Sequence, residues 1–165
     1  MAGQIYRYLA DDHSRLDEAL QRATEPAGMI EPLAYAEFRG GLLRHIGMEE
    51  KILLPAAESA RNGEPLAIAP KLHLDHGALA ALLVPTPTKS IIATIRRILI
   101  DHNALEEGPD GVYEQCEQLA SLEADNLLLR LRNAPAVKMS AHVDNLIAMD
   151  SLRMALHRAG YTLEP

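Results

Sequence analysis

The chain has 165 residues, a formal net charge of -7 and 48% hydrophobic residues, which suits one domain of ordinary size with a buried core. Its cations are scattered rather than gathered in a basic stripe, which argues against nucleic acid as a partner. No apolar run approaches the roughly 20 residues of a membrane span, no signal-like stretch opens the chain, and the single cysteine, Cys116, excludes internal disulfides and thiolate zinc sites. A cytoplasmic protein with no nucleic-acid or membrane partner is therefore expected.

With no Trp and one Phe, the core must be filled by Leu, Ile, Ala, Met and Val, as in helix bundles. Clusters of Pro and Gly at Glu25–Gly28, Arg61–Pro65, Val84–Pro87, Gly108–Gly111 and Asn133–Pro135 divide the chain. Between them apolar residues recur every three or four positions, the period of a helix. The first helix is expected over Gln4–Ala23, with Ile5, Tyr8, Leu9, Leu16 and Leu20 on one face. The second spans Pro32–Ala60 and buries Leu42, Leu43, Ile46, Leu53 and Leu54, with a kink expected at Pro55. A third covers Pro65–Leu83. A fourth runs from Thr88, where Thr-Lys-Ser offers a cap, to Glu107. Tyr113–Leu131 is helical by pattern, and a last helix is expected over Ala141–Ala159 with Gly160 as its C-cap. Four long helices joined by short loops predict an all-α, up-down-up-down four-helix bundle with additional C-terminal helices. The expected domains are a bundle over residues 1–120 and an extension over 121–165, packed on the bundle or at a homodimer interface.

Seven histidines are many for this length, and their spacing is informative. The second helix carries His45-Ile-Gly-Met-Glu49-Glu50 and the fourth carries His102-Asn-Ala-Leu-Glu106-Glu107. Residues four apart share a helical face, about 6 Å apart along the axis, so each helix presents an imidazole and a carboxylate to one side. The first and third helices share His-x-x-Leu-x-x-x-Leu, at His13 and His76, which turns both histidines inward. Each half of the chain thus reads His, then HisxxxGlu. Six such groups would not be buried without partners, because each carries a desolvation penalty of a few kcal/mol. Coordination of cations removes it. The count suits two metals, one on His13 and His45 and one on His76 and His102, with Glu49 and Glu106 bridging. About two octahedral positions per ion remain for an oxo or hydroxo bridge and an exogenous ligand. Imidazole and carboxylate donors without thiolate favour two iron ions, with manganese or a mixed pair as alternatives.

This motif set resembles the hemerythrin-like HHE cation-binding family over roughly residues 5 to 120. The resemblance implies a hemerythrin-like four-helix bundle and a di-iron centre that meets dioxygen, nitric oxide or peroxide, in oxygen binding, oxygen or iron sensing, or protection against oxidative or nitrosative damage. Oxygen carriers of the family use a further histidine on the third helix, four residues from its partner. His73, three before His76, is therefore either a fifth imidazole ligand or a solvent-facing or supporting residue. The breaker Gly108-Pro109-Asp110-Gly111 departs from the family pattern and leaves open where Glu106 points.

Glu50 and Glu107 are read as solvated charges or as groups behind the ligands, Asp75 as exposed, and His142 and His157 as surface residues. Met48, Met139, Met149 and Met154 are read as packing and Cys116 as a half-buried helix residue. The sequence assigns neither Tyr6 nor Tyr113 to the site. Three functions compete: a small-molecule binding or sensing protein, a di-iron oxidase or peroxide-reducing enzyme, and a metal-free helical interaction module. No clear dedicated proton donor is evident for an enzyme. Neither Glu-x-x-His nor HExxH occurs, which argues against ferritin-like enzymes and zinc proteases.

Overall fold

The computed structural model describes residues 2–165 and is all-helical, with no strand among them. The order is α1 (Gln4–Thr24), α2 (Pro32–Met48), a π-helical segment (Glu49–Leu53), α3 (Leu54–Ala60), α4 (Ala69–Leu82), α5 (Lys89–Glu107), α6 (Val112–Ala120), a 3₁₀ turn (Ser121–Glu123), α7 (Ala124–Arg132) and α8 (Leu146–Ala159). No helix among the described residues is long and apolar enough to cross a membrane.

The chain folds as two compact units, one of Met1–Ala69 and Asn103–Lys138, the other of Pro70–His102 and Met139–Pro165. In the first, Ile5, Leu9, Leu16, Ala19 and Leu20 of α1 and Phe38, Leu42 and Met48 of α2 are buried, the stripe that their three- and four-residue spacing predicts. In the second, Leu72, Leu79 and Leu82 of α4, Ile91, Ile92, Ile95 and Ile98 of α5, and Leu152 and Leu156 of α8 fill the interior.

The path from Pro32 to Ala60 is continuous, but Pro55 does not simply kink it. The backbone widens into a π turn, in which the Leu54 N–H bonds to the Glu49 carbonyl, five residues back. Pro55 then falls in the first turn of α3, where its missing N–H is tolerated. The α4 helix begins at Ala69 instead of Pro65, because Leu66–Ala69 closes a turn with the Ala69 N–H on the Leu66 carbonyl at 2.9 Å. The last helix starts at Leu146 instead of Ala141. The Asp144 carboxylate accepts from the Thr86 N–H (2.7 Å) and hydroxyl (2.6 Å), and Asn145 caps the helix by accepting from the Ala148 N–H at 2.8 Å. It ends as expected at Gly160, whose φ of +88° favours glycine.

A reversal between α5 and α6 positions the site. Asp110 takes a left-handed conformation (φ +57°), which Asp tolerates better than most residues. The Gly111 N–H bonds to the Gly108 carbonyl at 2.8 Å. A Cβ on Gly111 would stand 2.6 Å from the Glu106 carbonyl oxygen, so only glycine lets the chain turn back this tightly. The α6 helix then docks on the start of α1. Glu117 accepts from the Ile5 and Tyr6 N–H groups at 2.8 and 3.0 Å, satisfying amides that a helix start leaves without intrahelical acceptors.

Candidate metal centre

Within the first unit, four side chains from four elements meet. His13 comes from the middle of α1 and His45 from the last turn of α2. Glu49 opens the π segment, and Glu106 lies in the last turn of α5. All four are buried, and one donor atom from each falls within 4.8 Å of the others. His13 Nε2 is 3.2 Å from Glu106 Oε2, and His45 Nε2 is 3.2 Å from Glu49 Oε1. The breaker after Glu107 therefore leaves Glu106 fully buried beside His13.

In each case the Nδ1 face of the imidazole is held from behind. His13 Nδ1 pairs with Glu107, and His45 Nδ1 with Asp12 Oδ2 at 2.7 Å. A carboxylate on one ring nitrogen orients the ring and makes the other the better ligand. Asp12 is itself held by Arg15 at 2.8 Å.

The second unit repeats the device. His76 Nε2 and His102 Nε2 lie 3.1 Å apart, and His102 Nδ1 is 3.1 Å from Asp75 Oδ2. Asp75 also accepts from Lys71, whose ammonium bonds the Ala159 carbonyl at 3.2 Å and lies 4.9 Å from the centre of the Tyr161 ring. Asp75 is completely buried, which overturns its reading as an exposed residue. The buried face of α4 is wide enough to take both Asp75 and His76, and two partners stabilise the carboxylate there. The sequence does carry a signal for these carboxylates: an aspartate directly precedes the first histidine of each half, at Asp12-His13 and Asp75-His76. In both units it serves the second histidine.

Sequence reasoning also left Tyr113 unassigned. Carried by α6 and fully buried, its hydroxyl donates to Glu49 Oε1 at 2.6 Å and lies 3.1 Å from Glu106 Oε2, 3.0 Å from His13 Nε2 and 3.1 Å from His45 Nε2. Tyr6 packs edge-on against its ring, with centroids 6.0 Å apart, and donates to the Glu107 carbonyl at 2.6 Å. The signal was the spacing Tyr113-x-x-x-Glu117, which puts phenol and helix-capping carboxylate on one face of α6.

Electrostatics follow from this crowding. Burial opposes a proton on His45, but the Glu49 charge and the Asp12 hydrogen bond outweigh it and hold its pKa up at about 10. His13 is raised in the same way, with burial overcome by Glu106 and Glu107. Burial, reinforced by the Glu49 and Glu106 carboxylates, keeps Tyr113 a phenol well above the usual range. Cys116, buried rather than half-buried, is pushed up to about 12 by the same causes and is an inert thiol. Two carboxylates opposite two imidazoles form the donor set that a divalent or trivalent cation fits once protons leave.

The other histidines are elsewhere. His73 is exposed, outside this cluster, as are His142 and His157. Glu107 is partly exposed and serves as the group behind His13.

Residues 4–109 match the hemerythrin HHE cation-binding domain. The chain belongs to the hemerythrin HHE family. No curated protein and no solved structure matches it. Family membership and the buried His/Glu cluster make this HHE protein a metal-binding protein with a hemerythrin-like helical fold and extra C-terminal helices.

Proposed function

We propose that this HHE protein binds two iron ions and uses them to bind or sense dioxygen or a related small molecule, nitric oxide or peroxide. The observation that carries the reading is the burial of His13, His45, Glu49 and Glu106 with donor atoms within 4.8 Å of one another. The second ion is assigned to His76 and His102, as the twofold repeat of the motif directs. Iron is favoured by hard and borderline donors without thiolate. The ions would supply open coordination positions for the exogenous ligand. The protein supplies fixed imidazoles, through Asp12, Asp75 and Glu107, and the burial of His13, His45, Glu49 and Glu106 keeps bulk water from the donors. Manganese is the alternative metal, and the cytoplasm the compartment that suits a chain with one buried thiol.

Metal analysis of protein purified from iron-supplemented cells, with absorption spectra before and after air, nitric oxide or peroxide, tests this. About two irons per chain and a reversible spectral change are expected. Stoichiometric iron with repeated turnover of peroxide or a reductant would assign an oxidase or peroxidase instead. Absence of stoichiometric metal, without chelators, would refute the reading.

A further inference from the structure

We propose that Tyr113 is a ligand of the ion held by His13, His45, Glu49 and Glu106, bound through its phenolate oxygen. This rests on the metal-centre reading above and adds to it a donor from outside the HHE motif. The phenol oxygen lies 2.6–3.1 Å from one donor atom of each of the four residues. An ion entering the cluster must therefore share the centre with this oxygen or expel it. Expulsion is opposed by the packing. The ring is completely buried, Tyr6 stands edge-on against it, and α6 is anchored through Glu117 on the start of α1 and through the tight turn at Gly111. A phenolate is a hard oxygen donor suited to ferric iron. On binding, the phenol O–H breaks, the iron–oxygen bond forms, and the proton leaves to buffer. No electron is transferred.

The consequence is an unequal pair. One ion has two imidazoles, two carboxylates and a phenolate, and the other lacks the fifth protein donor. Exogenous ligands are then directed to the ion on His76 and His102. A fifth imidazole from His73, one of the two alternatives the sequence left open, would give the reverse asymmetry.

The test compares wild type, Tyr113→Phe and Tyr6→Phe, each loaded with ferrous iron without oxygen, oxidised, and measured for iron content, visible absorption and resonance Raman scattering. Wild type and Tyr6→Phe are expected to show a phenolate-to-iron charge-transfer band with enhanced tyrosinate ring vibrations. Tyr113→Phe should lose both while retaining iron. Iron-loaded wild type without tyrosinate vibrations, or a band surviving in Tyr113→Phe, would overturn the assignment and leave the metal centre standing. No iron in wild type would remove both. Should Tyr113→Phe fail to fold, wild type grown on ring-deuterated tyrosine decides the matter: an isotope shift in the enhanced bands, together with their persistence in Tyr6→Phe, supports the ligand, and its absence refutes it.

Discussion

His45 links protonation to both stability and metal binding. Its pKa in the folded, metal-free protein is about 10 against an ordinary 6.5, because Glu49 and Asp12 outweigh burial. The folded state therefore holds this proton more tightly than the unfolded one. The resulting stabilisation is fully present below pH 6.5 and is lost as pH rises through 10. Denaturant titrations of metal-free protein should show stability falling across that window, less steeply in His45→Gln. Metal affinity should move the other way, since an ion must displace the proton. Calorimetric titration with ferrous ion in buffers of different ionisation enthalpy would count the protons released. The residues behind the imidazoles are predicted to matter nearly as much as the ligands. Asp12→Asn and Asp75→Asn should each weaken metal binding roughly 10- to 100-fold while the helical circular dichroism is kept, measured by competition with a chelator. Unchanged affinity in both would show that these carboxylates only neutralise buried charge.

At the level of elements, the helix starts and stops that side chains announce were readable, and those set by tertiary partners were not. Thr88 caps α5 through the Ile91 N–H at 3.2 Å, and Gly160 closes α8. The π turn after Glu49 combines a local signal, Pro55, with a response that only the packed chain reveals. The late start of α8 depends on Asp144 reaching Thr86, 58 residues away, which no local pattern encodes. The reversal at Gly108–Gly111 looked like a threat to Glu106. It instead brings α6 back to the site. Gly111→Ala should therefore destabilise the protein by about 1–3 kcal/mol, the usual range for overpacking, and reduce bound iron, because the Glu106 carbonyl must move. Thermal unfolding and metal analysis of the same sample would check this. Glu117→Ala removes an acceptor shared by two amides of α1 and should lower stability by about 1 kcal/mol.

For the molecule as a whole, the twofold motif was legible because ligands need fixed spacing on a helix, and a period of four survives in a sequence without any fold in view. The site roles of Tyr113, Asp12 and Asp75 were only faintly marked, by the Tyr113–Glu117 spacing and by an aspartate before the first histidine of each half. Tyr113 lies on a helix beyond the motif, Asp75 had a reasonable reading as an exposed residue until its partners were known, and Asp12 drew no reading. Saturating iron should stabilise the folded chain by about 2.7 kcal/mol at a free concentration about a hundred times Kd, seen as a rise in Tm that a strong chelator reverses. No such rise would mean that the cluster takes no ion. The chain has no tryptophan and five tyrosines, and one of those rings sits inside the donor cluster. Its ultraviolet emission is consequently an intrinsic gauge of occupancy: quenching of a fraction of the signal would report the arrival of an ion without dye, label or substitution.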